Sequence, residues 1–86
     1  MQNMNKIFLD AREMEHPLPL QTSLHYLQTM SNKHYFYMLN FKNPIPLIEI
    51  AKEKGFFYLE HKDALDLWHI IITKNSELVL EDLVDV

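Results

Sequence analysis

The chain predicts an α+β fold: a two-layer α/β sandwich in the order βαβαββ, with a four-stranded mixed sheet and two helices on one face. Three observations predict it. Apolar residues recur at helical spacing in two stretches, each opened by a pair of prolines. Short aromatic or aliphatic runs flank those stretches, and the last two of them are joined by the short connection Asp63-Ala64-Leu65-Asp66. At 86 residues the chain has room for one compact domain.

Ile7 to Asp10 reads as a short first strand. Leu20, Leu24, Leu27 and Met30 then form one apolar helical stripe, opened by His16-Pro17-Leu18-Pro19. Pro17 and Pro19 fix φ near the helical value and have no amide to satisfy, so they suit a first turn and hold His16 extended. Ser31 to His34 breaks the stripe, with Asn32 as the helix-ending residue, and Tyr35 to Leu39 is the second strand. Pro44 and Pro46 open a second helix with Leu47, Ile50 and Ala51 inside and Glu49, Lys52 and Glu53 outside. Gly55 sits where a helix end favours positive φ.

Phe56 to Lys62 and Leu67 to Lys74 read as an antiparallel hairpin. Placing Phe57 and Leu59 on an inner face with Ile70 and Ile72 pairs Leu59 with Ile70 and Phe57 with Ile72. Glu60 then lies opposite His69, and Tyr58 opposite Ile71, on the outer face. Two helices cover only one side of such a sheet, so Phe56, Tyr58, His69, Ile71 and alternate residues from Tyr35 to Leu39 are expected outward. That apolar face suits a partner protein or a homodimer. Residues 1–74 form the domain; 75–86 form an acidic-aliphatic tail whose leucines and valines favour docking over a free end.

Hydrophobic residues make up 48% and charged residues 23%, and there is a single glycine, which is globular rather than low-complexity composition. The net charge of −4 resides in the tail, because Glu77, Glu81, Asp82 and Asp85 account for the whole excess of acids. The basic residues are scattered, which argues against nucleic-acid binding. The first thirty residues lack a signal-like or membrane-spanning run, and a cytoplasmic location is expected. Without cysteine there are no disulfides, thiolate metal sites or sulfur-borne covalent chemistry.

Leu9-Asp10-Ala11-Arg12, His16-Pro17-Leu18-Pro19, Asn43-Pro44-Ile45-Pro46-Leu47 and Lys54-Gly55-Phe56 together resemble the TusA/SirA-like sulfur-carrier superfamily over residues 6–74. The likeness is nearest to its small uncharacterised relatives without the carrier cysteine. In the carriers a Cys-Pro-x-Pro motif precedes the first helix and its thiol bears a persulfide; here His16 takes the cysteine's place. Imidazole cannot hold a persulfide. The glycine common after the Leu-Asp segment is also missing, with Glu13 nearby. The resemblance therefore implies the scaffold without sulfur transfer, and only by association a role near redox or sulfur metabolism.

His16, beside the positive end of a helix dipole, is either a neutral hydrogen-bonding or metal-binding ring or a local cap. Asp10 and Arg12 emerge beside it, Arg12 either gripping an anion or closing on Asp10. His25, nine residues on, lies roughly 13 Å away at a rise of about 1.5 Å per residue, too far to share one ion with His16. His61 and His69 are expected on opposite faces. Ser23 and Ser31 lack a glycine-elbow context, and Glu49 and Glu53 belong to a solvated helix face, so no enzyme is expected. Tyr35, Tyr37, Phe56, Tyr58 and Trp68 either pack in the sheet or stack a flavin, whose phosphate would rest on a helix start at His16 or Pro44. The leading expectation is a non-enzymatic binding module contacting its partner through Asp10, Arg12, His16, Pro17, Pro19, Tyr58 and His69; the alternative is a small flavin or metal carrier.

Overall fold

A computed structural model describes residues 4–85. The elements are β1 (Asn5–Asp10), α1 (Leu18–Thr29), β2 (His34–Asn40), α2 (Ile45–Glu53), β3 (Phe57–Lys62), β4 (Trp68–Thr73) and a final 3-10 helix (Leu80–Leu83). They form the expected βαβαββ order with a mixed sheet, β1-β2-β4-β3. β1 and β2 are parallel, joined across by α1, while β4 runs antiparallel to both β2 and β3.

The proline pairs sit at the helix starts: Pro17 and Pro44 are N-caps, and each helix carries a proline within its first two positions. α1 buries Leu27 with Met30 and leans Leu20, Leu24 and Tyr26 on the same core. Ser23 is fully buried in this face because its hydroxyl donates back to the Pro19 carbonyl at 2.6 Å. The helix ends earlier than Asn32: Met30 turns to extended backbone at ψ 150 while its amide still bonds Tyr26. In α2 the buried arc is Leu47, Ile48 and Ala51, with Ile50 at its margin. The buried face is thus rotated toward residue 48, with the helix packing against both α1 and β3. Gly55 terminates the element at φ +77.

The β3–β4 register differs from the expected one by a residue. Leu59 pairs with Ile71, Tyr58 with Ile72, Glu60 with Ile70 and His61 with His69. The cause is the connection: Asp63 and Leu67 still pair through an amide-to-carbonyl bond of 2.9 Å, leaving a three-residue loop, Ala64 to Asp66. Asp66 closes it at φ 64, the turn-plus-left-handed-residue form of hairpin. A one-residue slip exchanges the faces of a strand. Tyr58 and the preceding Phe56 therefore pack against the helix-side core, and Leu59 belongs to the other side.

That other side is not bare. Tyr35, Tyr37, Leu39, Leu59 and Ile71 do face away from the helices, but Leu78, Leu80, Leu83 and Val84 of the C-terminal segment pack on them. The 3-10 helix lies against β3, and the far end reaches β1, where Asp85 ion-pairs with Lys6. The segment is thus a strap across the sheet. Ile71 is 0% exposed, so neither it nor Tyr58 offers the homodimer surface expected of a naked sheet. β2 and β4, covered on both faces, accordingly read as near-continuous apolar runs. No helix among the described residues is long and apolar enough to cross a membrane.

Candidate functional site

Parallel β1 and β2 both deliver the chain to the same end of the sheet, and both helices begin there. In open α/β sheets this is where ligands bind, beyond the carboxyl ends of the strands. A cleft of about 480 Å³ lies between the two crossovers, lined by Arg12, Met14, His16 and Pro19 on one side and Asn40 to Pro44 on the other. Its floor is apolar, formed by Leu20, Met38 and Leu47. Leu18, Phe41 and Ile45, at the helix starts and in the β2–α2 loop, are large apolar side chains left 50%, 59% and 57% exposed at this end.

Of the residues expected here, Asp10 and Arg12 bind each other. Arg12 Nε and Nη2 donate to the two Asp10 oxygens at 2.8 and 2.6 Å, and the Arg12 amide adds a third bond at 3.1 Å. The guanidinium holds the Asp10 carboxyl down at about 2, and the carboxylate raises Arg12 in return. The Nε/Nη2 edge is thus closed on Asp10, and Arg12 forms one wall of the cleft. His16 is exposed and lines the cleft. It is not the cap of α1: that position is Pro17, without a side-chain capping bond.

The start of α2 is a poor anion site for a reason the prolines impose. Pro46 has no amide, and Ile45, Leu47 and Ile48 already bond carbonyls of Asn43 and Pro44. In α1, Pro19 has none and Leu18 and Gln21 bond Glu15 and Pro17. A dinucleotide phosphate seated at Pro44 would find no free amide in that first turn. The aromatic set also divides between the faces: Tyr35 and Tyr37 lie under the strap, whereas Phe56, Tyr58 and Trp68 face the helices. It forms no common stacking platform.

One polar group at the cleft is left over. Asn43 donates from Nδ2 to Glu60 Oε2 at 2.7 Å, bracing the β2–α2 loop against β3, but its buried Oδ1 has no partner.

His69 lies elsewhere, on the strap side, 4% exposed. Its Nε2 is 2.8 Å from Asp63 Oδ2 and its Nδ1 is 2.6 Å from the Tyr37 hydroxyl, which also accepts the Asp85 amide at 2.8 Å. Hydrogen bonding to His69 and to the Leu67 and Leu65 amides lowers the Asp63 carboxyl; burial raises Tyr37. His61 stands beside His69, ring centroids 5.9 Å apart, rather than on the opposite face. No group of three His, Cys, Asp or Glu able to hold a metal occurs among the described residues. The sequence names Tyr37 only among the aromatics and Asp63 only as the start of the hairpin connection, not as partners of His69; the available signal was Asp63 at the start of a tight turn, where Asp commonly bonds amides two residues on.

Comparison with family models, with characterised proteins and with solved structures found no match to this chain.

Proposed function

We propose that this chain is a non-enzymatic binding module of the cytoplasm, a TusA/SirA-like scaffold without the carrier cysteine, which meets a protein partner at the end where both helices begin. The observation that carries the reading is the cleft itself, where an apolar floor and exposed Phe41 meet a few polar groups, with exposed Leu18 and Ile45 at the adjoining helix starts. Recognition sites have this composition: apolar area supplies affinity and sparse polar groups fix orientation. His16 and Asn43, which line the cleft, are the polar groups in question. The βαβαββ order and the proline-braced helix starts are what the family resemblance implies, and they support it. A place near redox or sulfur metabolism rests on that resemblance alone.

Affinity capture from the native cell tests the reading. Wild-type protein should retain a partner that His16→Ala weakens and Phe41→Ser loses. Capture of nothing by the wild type, or equal retention by Phe41→Ser, would count against it.

A further inference from the structure

A continuous chain of hydrogen bonds crosses the strap side of the sheet and ends on the strap. It runs from Asp63 in the hairpin loop through His69 on β4 and Tyr37 on β2 to the backbone of Asp85. With Asp63 ionised, one proton arrangement satisfies every member. His69 Nε2–H donates to Asp63, the Tyr37 O–H donates to His69 Nδ1, and the Asp85 N–H donates to the Tyr37 oxygen. The ring is then neutral. A second ring proton turns Nδ1 into a donor, so the Tyr37 oxygen faces two N–H groups and its own hydroxyl proton loses its acceptor. Tyr37 is 1% exposed, so water does not readily replace that acceptor.

We propose that the C-terminal strap is a latch that closes on neutral His69: proton uptake at Nδ1 reverses the His69–Tyr37 hydrogen bond and frees the Asp85 end of the strap.

The groups around the ring concentrate the effect on Tyr37. Asp63, whose carboxyl is lowered by its bonds to His69 and Leu67, remains a carboxylate and keeps its contact with either form of the ring. His61 on β3 faces His69, and charging both would set two cations side by side. Asp10, the last residue of β1, lies in the same cross-strand row beyond Leu39, and Arg12 in the following loop neutralises it. Lys6 stands 4.4 Å from the Tyr37 ring centre and pairs with the Asp85 carboxylate, a contact that retains part of the strap after the amide bond is lost. Release is therefore partial, with the closed-to-open ratio of the strap end falling about fivefold, the equivalent of one hydrogen bond.

The test follows the Asp85 amide proton by NMR in the full chain from about pH 8 to about pH 5, the interval in which imidazoles change charge. In the wild type this resonance should move toward the position it has in Tyr37→Phe, which lacks the acceptor at every pH. It should stay fixed in Tyr37→Phe and His69→Gln, and move as in wild type in His61→Gln. Tyr37→Phe keeps the ring packing, so the test stands even if His69→Gln fails to fold. A wild-type resonance that does not move, or one that moves equally in Tyr37→Phe, overturns the latch.

Discussion

Tyr37 shows how much one hydroxyl can organise. Its ring fills the space under the strap, and its oxygen links His69 of β4 to the Asp85 backbone. Tyr37→Phe should cost about 1–3 kcal/mol in urea unfolding, because it leaves a buried ring nitrogen and a backbone amide unpaired. The acid side of stability belongs to Asp10 and Asp63, both lowered from a value of 3.8, Asp10 to about 2. A depressed carboxyl stabilises the fold above its unfolded value and loses that contribution as pH falls through the folded one. The urea midpoint should therefore fall between about pH 4 and about pH 2, less steeply in Asp10→Asn than in the wild type. His69 was legible as a residue turned away from the helices, because the alternation of Ile70 and Ile72 fixes the faces of β4. Its partners were not: Tyr37 is 32 residues away, and nothing local to either residue signals the pairing.

Among the elements, the helices were the most legible and the hairpin the least. Paired prolines and an apolar stripe mark both helices, and Gly55 marks the end of α2, since each acts through local backbone geometry. Gly55→Ala should cost about 1 kcal/mol in thermal or urea unfolding. The whole of that is backbone strain at φ +77, as an added Cβ would meet nothing within 4 Å. The register of β3 went the other way. It depends on whether the loop holds three residues or four, and the sequence Asp63-Ala64-Leu65-Asp66 contains no glycine or asparagine to show that Asp66 takes the left-handed position. Apolar content could not decide it either, because β3 carries Phe57 and Leu59 on one face and Tyr58 on the other.

At the scale of the molecule, the strap turns a two-layer sandwich into a sheet covered on both sides. The sequence reading anticipated an uncomfortable apolar face and a tail rich in aliphatics, and the structure joins the two. Ending the chain after Asn75 should uncover Tyr37, Leu59 and Ile71 and produce self-association in light scattering, where the full chain at the same concentration remains smaller. The proposed binding surface is a different one, the cleft at the helix starts, whose walls follow the parallel strands and the proline-braced first turns. Its outline was visible in His16-Pro17-Leu18-Pro19 and Asn43-Pro44; the exposure of Phe41 and the unpartnered Asn43 oxygen were not, since both depend on how the two crossovers come together. The most direct test places a photo-crosslinking phenylalanine analogue at Phe41, on the cleft, or at exposed Lys33, at the opposite end of the sheet, in living cells. Adducts to a partner from position 41 and none from position 33 are predicted; adducts from 33 alone, or from neither, would contradict the assignment.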